Sequence, residues 1–549
     1  MIAQIKRAEF SQNILKAECR IFVSKRIHIN LKTRKECTKM KNANTFRRVM
    51  AMLLVLLMSL SLCACGENVN PTDGTTAPTS GGTETTAPDA SISADESVTG
   101  TVTLGYTADW DDYYRAMVDA FCKKYPNVEV VIQTIPGTMY GQYETMASLA
   151  AANNLPDVCV GSEHFGEMMM NGWLYPLNNL IEEDPDSDAI IDQALENFSY
   201  GGYVYGLPMQ MQFNSVGVNL DLCEYLNMDA PEYDWTIDDF VYMAKKATTQ
   251  ETSGINYIYN SGNPTWGLDN KLMSSMIPGG YHQYGYSFET HTIDLTVNDA
   301  WVESNKLLQE LSSVYGLVSD DLKYTGSGTS DYEKKFGEGA DALLSGKVLF
   351  GNHSTWEYSL YLKTDFAFDF YPMPTDSDIE QRIQTHFDFA YMTTKVTEEN
   401  RKAAYELLKF ITYGEGCLIR IEQNMKDLEE TPTSYKVYIP ASADPDVVAA
   451  FDATPLADGI KYMYHQVIEN PECILVSDCD KLIPNYWNDI VQFRDTATEQ
   501  VQDGTDPAAL VTDFQNKASY AMSESWKYFE SRMAKNITSF FETHPWEQQ

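Results

Sequence analysis

The sequence predicts an α/β fold arranged in two lobes, on three observations. At 549 residues the chain exceeds what one interior supports, since single cores stop growing at about 250 to 300 residues and then divide. Hydrophobic residues make up 44% and charged residues 21%, which is enough apolar surface for packed cores. From Thr99 onward, strand-length apolar runs alternate with amphipathic helical stretches, the pattern of sheets with helices on their faces.

The N-terminus reads as an address and a tether. Lys41 to Arg48 is basic, Val49 to Leu62 is an almost unbroken apolar run, and Cys63-Ala64-Cys65-Gly66 follows. A basic start, a run too short for a comfortable permanent span and small residues at a cut site describe a secretory signal peptide over 40–64. Met40 is the better start, and residues 1–39 are expected to be a mis-called extension. Leu62-Cys63-Ala64-Cys65 resembles the bacterial lipobox, which implies that Cys65 is diacylated and becomes the first residue of the mature protein. Residues 66–98, rich in Thr, Ser, Gly, Pro and Ala, cannot bury enough surface to fold and are expected to be a flexible spacer behind the anchor.

Charge and cysteine usage narrow the partners. The formal net charge is −38. Residues 1–64 hold 13 Lys and Arg against 3 Asp and Glu, so the remainder carries −38 − 10 = −48. Such a chain repels phosphate backbones, and no nucleic-acid partner is expected. The 10 Cys show no paired spacing of a zinc site, and no metal or cofactor is assigned. Cys473 and Cys479 are close enough for a local disulfide, with a buried pair of free thiols as the alternative.

Each element of the folded part follows from its pattern. Thr101 to Tyr106 reads as a strand, and Asp111 to Tyr125 as a helix with Tyr114, Met117, Val118 and Phe121 on one side. Val128 to Thr134 is a second strand, Tyr140 to Ala152 a helix, and Asp157 to Val160 a third strand. Trp235-Thr236-Ile237-Asp238-Asp239 is a helix start in which Thr236 caps and the acids suit the N-terminus.

An ordered series of short motifs carries a family resemblance. Tyr125-Pro126-Asn127-Val128, Leu155-Pro156-Asp157-Val158, Asn171-Gly172-Trp173-Leu174-Tyr175-Pro176-Leu177 and Gly201-Gly202-Tyr203-Val204-Tyr205-Gly206-Leu207-Pro208 come first. Asn219 to Leu222, Leu344 to Val348, Tyr371-Pro372-Met373-Pro374 and Gly414-Glu415-Gly416 follow. Together they resemble the extracellular solute-binding proteins of ABC importers, of the maltose-binding-protein-like type. The resemblance implies a periplasmic-binding-protein-like fold, two α/β lobes joined by crossing hinge segments and closing on a ligand in the cleft. It places lobe one at 99–212 with 388–450 and lobe two at 213–387 with 451–549. It further implies a sugar, and an oligosaccharide in particular, as cargo, permease subunits of the importer as partners, and a lipid-anchored monomer on the extracellular face of the cell membrane.

A sugar site needs aromatic faces for the C–H side of a pyranose, and carboxylates or amides for its hydroxyls. Loops after parallel strands are the expected place for both. The resemblance assigns Asp109 and Trp110 to the loop after the first strand, and Glu163 to the loop after the third. Gln210 and Gln212 alternate with Met209 and Met211, which puts both amides on one face of a strand. Trp266, Trp356 and Trp487 match aromatic positions of the family, and Asp388 stands where the chain is expected to cross back to lobe one. Trp173 and Trp235 belong to structural motifs. Two rival readings remain. A secreted glycoside hydrolase would need two carboxylates about 5 to 10 Å apart, and the chain has no Gly-x-Ser-x-Gly elbow. A binding protein for a polyamine would use the same aromatics with more carboxylates.

Overall fold

A computed structural model describes residues 94–138, 142–255, 268–313, 334–337, 340–477, 481 and 483–548. Cys65, Trp266 and Cys479 lie outside these, as do the signal and spacer segments. The described residues belong to one compact unit, Ala90–Gln549.

Strand β1 (Gly100–Thr107) leads through helix α1 (Asp111–Lys124) to β2 (Val128–Ile135), and helix α2 (Tyr143–Ala151) leads to β3 (Val158–Gly161). These lie within a few residues of the spans read from the sequence, because the 3.6-residue and two-residue periodicities are clean here. Tyr114, Met117, Val118 and Phe121 are buried as one face of α1. They pack with Val102, Leu104, Leu407 and Ile411 in a core over this end of the sheet. Each such side chain contributes about 1.5 to 3 kcal/mol by leaving water.

Helix α3 (Phe165–Met170) follows directly, then a hairpin of β4 (Ser199–Tyr200) and β5 (Tyr203–Val204). Gly201 and Gly202 form its turn with φ of 62° and 84°, a region that favours glycine. Strand β6 (Leu207–Phe213) and β7 (Ser215–Asn219) are separated only by Asn214, yet they belong to different sheets. The chain therefore crosses at Asn214.

Beyond the crossing lie α4 (Ile237–Ala247), β8 (Ser253–Ile255), α5 (Leu268–Met276), α6 (Ala300–Ser313), β9 (Val348–Gly351) and β10 (Phe368–Pro372). Thr236 and Asp239 form a reciprocal capping box at the start of α4, as the sequence predicts. Strand β11 (Arg382–Met392) is the long return strand. It is followed by α7 (Arg401–Thr412), α8 (Gly416–Glu430), β12 (Ile439–Pro440), α9 (Asp458–Glu469), β13 (Ile474–Ser477), α10 (Gln492–Gln502) and α11 (Val511–Thr543).

Two main sheets result. The seven-stranded sheet runs β12-β6-β11-β3-β1-β2 with β13 also on β11, and the four-stranded sheet runs β10-β7-β9-β8. They are mixed rather than parallel throughout. Strands β1, β2 and β3 are mutually parallel, while β11 runs antiparallel to both β3 and β6. The direction of β11 is set by its return from the second sheet, a long-range constraint invisible in the local pattern. Cys473 is a buried free thiol, pushed up to about 11 by burial.

Candidate functional site

The loops at the ends of β1 and β3, the crossing strand β6, the return strand β11 and the loop after β9 supply the candidate residues. Asp109 and Trp110 stand in a short helical turn, Ala108–Trp110, directly after β1; of Asp109 only the backbone is described. At the end of β3, a Cβ on Gly161 would sit 2.8 Å from Gln142 Nε2 and 3.0 Å from the Phe389 ring. Glycine there lets the chain leave the sheet closely packed and present Ser162 and Glu163.

Four of the predicted residues are joined in one line of contacts. The Trp110 ring lies 5.1 Å from the guanidinium of Arg420. Arg420 Nη2 donates to Gln210 Oε1 at 2.6 Å, and Gln210 Nε2 donates to Asp388 Oδ2. Asp388 Oδ1 lies 3.7 Å from His386 Nε2, and the His386 ring meets Trp356 edge-on at 6.1 Å. Trp110 and Asp388 belong to the first sheet and its loops, whereas Trp356 follows β9 of the second. The line therefore spans both sheets.

Gln212 extends it. Its Oε1 accepts from Thr355 Oγ1 at 2.7 Å, and its Nε2 donates to the Val437 carbonyl at 3.1 Å. Gln210 is thus engaged at both ends of its amide and acts between Arg420 and Asp388. Asp388 stands six residues inside β11 rather than at a crossing, because β11 begins at Arg382 to pair with β6 along its length.

Electrostatics follow from burial and partners. Burial alone would raise the Asp388 carboxyl, yet His386, Ser162 and Gln210 together hold it below the ordinary aspartate value. A carboxylate is therefore present in the interior of the site. Glu163 Oε2 lies 3.9 Å from His164 Nε2, and His164 Nδ1 lies 3.3 Å from Glu167 Oε1. The Glu167 hydrogen bond raises the His164 value. His164 has φ of 63° and stacks on Tyr143, so this corner holds backbone strain of the kind found beside ligands. Trp487 is 40% exposed and begins a five-residue π-helical turn. Burial raises the Asp489 carboxyl of that turn, and the charge of Glu167 adds to the rise.

Sequence reasoning did not find Arg420, His386, Ser162 or Thr355. His386 had a readable signal, since it lies two residues before Asp388 on an extended strand. Arg420, on α8, had none. Ser162, His386 and Asp388 have the side-chain types of a hydrolytic triad, but not its geometry. Ser162 Oγ and Asp388 Oδ1 both approach Nε2 of His386, at 3.4 Å and 3.7 Å, whereas a proton relay needs the two partners on opposite ring nitrogens. Among the described residues no group of three or more His, Cys, Asp or Glu is placed to hold a metal ion. No helix among them is long and apolar enough to cross a membrane.

Comparison with known structures agrees with this architecture. An ABC substrate-binding protein from Listeria monocytogenes in complex with cycloalternan superimposes with a TM-score of 0.55 at 17% identity, covering 78% of this chain and 100% of that one. A solute-binding protein from Thermotoga lettingae bound with α-D-tagatose gives 0.52 at 14%, over 77% and 100%. UgpB from Mycobacterium tuberculosis in complex with glycerophosphocholine gives 0.54 at 14%, over 78% and 99%. Residues 105–412 match the family of bacterial extracellular solute-binding proteins. With more than half of its length matched and its two-sheet architecture shared with solute-binding proteins of ABC transporters, the chain belongs to the bacterial extracellular solute-binding protein family.

Proposed function

We propose that the protein captures a sugar, in particular an oligosaccharide, between its two lobes and delivers it to the permease subunits of an ABC importer, without transforming it. The observation that carries this reading is the line from Trp110 through Gln210 and Asp388 to Trp356. Aromatic surface at both ends and an ionised carboxylate between them match a pyranose, whose C–H faces favour aromatic rings and whose hydroxyls donate to carboxylates. Glu163, Gln212, Trp487, Asp109 and Trp266 are further ligand groups in this reading, and the lobes divide near 212/213 and 450/451, with the return from lobe two falling before β11 rather than at 387/388. Cys65 holds the protein to the outer face of the membrane, where it acts as a monomer. The similar structures hold ligands of different kinds, so the cargo is a property of these side chains rather than of the fold.

The test is a titration of residues 90–549 with mono- and oligosaccharides and with spermidine, followed by tryptophan fluorescence and product analysis. A saturable response to one sugar class with the sugar recovered intact supports capture. A response to spermidine alone transfers the reading to polyamine uptake, for which the ionised Asp388 is also suited, and release of a shorter sugar reinstates the hydrolase.

A further inference from the structure

Two cations converge on the ring of Trp110. The Arg420 guanidinium lies 5.1 Å from the ring centroid, and Lys436 Nζ lies 4.6 Å from it. Arg420 is only 2% exposed. Its guanidinium also lies 4.2 Å from the Tyr438 ring and 5.5 Å from that of Tyr113. It donates to the neutral amide of Gln210, while Nε and Nη1 have no acceptor. Lys436 is exposed, on the segment leading into β12.

Neither cation forms an ion pair with a carboxylate among the described residues. Lys124, Lys409 and Arg401, by contrast, each hold at least one Asp or Glu. Asp427, on the same helix as Arg420, is engaged by Tyr113 and Gln423. A buried cation with unmet donors is costly unless an anion compensates it, and in a low-dielectric surrounding its field reaches across a neighbouring ring.

We propose that the end of the cleft at Trp110 receives an anionic group, so that the captured sugar carries a carboxylate or a phosphate ester. This rests on the reading of the cleft as a sugar site. The ring of the sugar lies against Trp110, its anionic substituent pairs with the Lys436 ammonium, and the charge of Arg420, 5.1 Å from the same ring, reinforces the attraction. Asp388, at the far end of the Gln210 amide, repels the same group. A ligand with an acid at one end and hydroxyls at the other is thereby oriented as well as bound.

The experiment is calorimetry on residues 90–549 with three comparisons: glucuronate against glucose, galacturonate against galactose, and glucose 1-phosphate against glucose, using the matching di- and trisaccharides for the uronates. At least one acidic sugar is expected to bind about tenfold more tightly than its neutral counterpart, with a preference that weakens as salt is added. In Lys436→Met the ratio of the two affinities should fall close to one, and Lys436→Arg should keep it. Lys436 is exposed, so both variants should fold, which their melting temperatures check. The uronate and phosphate comparisons say which anion the site takes. A neutral sugar that binds as tightly as its acidic partner, or a preference that survives Lys436→Met, overturns this inference and leaves sugar capture standing. Silence for every neutral and acidic sugar removes both.

Discussion

Asp388 is 3% exposed and ionised, and its charge is maintained by named partners. Gln210 donates to one oxygen, while His386 lies beside the other. Asp388→Asn should weaken sugar binding about tenfold or more, since hydrogen bonds to a charged group are worth roughly 1.5 to 3 kcal/mol; calorimetry on the two proteins checks this. The sign of its pH dependence follows from linkage. The native value lies below that of the unfolded chain, about 3.9, so unfolding takes up a proton between the two. The stability contributed by Asp388 is complete above the unfolded value and lost as pH falls through the native one. In acid denaturation series, wild type should lose its stability advantage over Asp388→Asn only below about pH 4, and an advantage lost already near neutrality would contradict the assignment. Trp356 is the other residue with a direct forecast. Trp356→Ala should lower affinity by up to about tenfold through loss of aromatic contact.

At the scale of the element, α4 and α11 show two ways in which a helix is secured. The capping box at Thr236 supplies partners for N–H groups that have none within the helix. Thr236→Ala should cost about 1 kcal/mol, read as a shift of the urea midpoint with an unchanged slope. Helix α11 has 33 residues, about 50 Å at 1.5 Å per residue, and it ties distant parts together. Near its start Gln515 bonds the backbone at Leu295 and Ile293; further along, Asn536 Nδ2 donates to the carbonyls of Met169 and Met170 at 3.0 and 2.8 Å. The segment after it carries Glu547, which is buried against Arg401, Tyr175 and Asn179. Burial opposes ionisation of Glu547, and Arg401, Tyr175 and Asn179 outweigh it. Its contribution is therefore present above the ordinary glutamate value and lost as pH falls through the depressed one. Glu547→Gln should destabilise by about 3 kcal/mol, because Arg401 loses one of its buried partners. Chemical denaturation at pH 7 reads this, and a change under 0.5 kcal/mol, the size of an ordinary surface substitution, would show the terminal segment to be unimportant.

At the scale of the whole molecule, the single residue between β6 and β7 is the point where the chain passes from one sheet to the other. Ser354 Oγ donates to Asn214 Oδ1 at 2.9 Å, and the Phe213 amide donates to Thr355 Oγ1 at 2.9 Å. These bonds bring the loop carrying Trp356 against the crossing strand, so the proposed hinge and the proposed ligand site share residues. A ligand bound only by the folded form, at one hundred times its dissociation constant, should stabilise by about 2.7 kcal/mol, which thermal unfolding with and without the sugar will show. Cys65→Ala should move the protein from the membrane fraction to the medium, and a variant that stays membrane-bound would count against lipidation at Cys65.

The amino-acid sequence by itself determined the α/β class, the first three strands with their helices, the cap at Thr236 and the family. Each of these depends on local periodicity or on short motifs in order, and both are written in neighbouring residues. It also named Trp110 and Trp356 through the family resemblance, Gln210 through the alternation of its strand, and Asp388 through an expected crossing. Only the tertiary structure decided that these four form one line, that Gln210 is engaged at both ends, that β11 runs antiparallel to its neighbours, and that Arg420 and Lys436 meet at Trp110. Arg420 is 310 positions from Trp110 and 210 from Gln210, and contacts over such separations follow from how the sheets and helices pack, which no local pattern encodes.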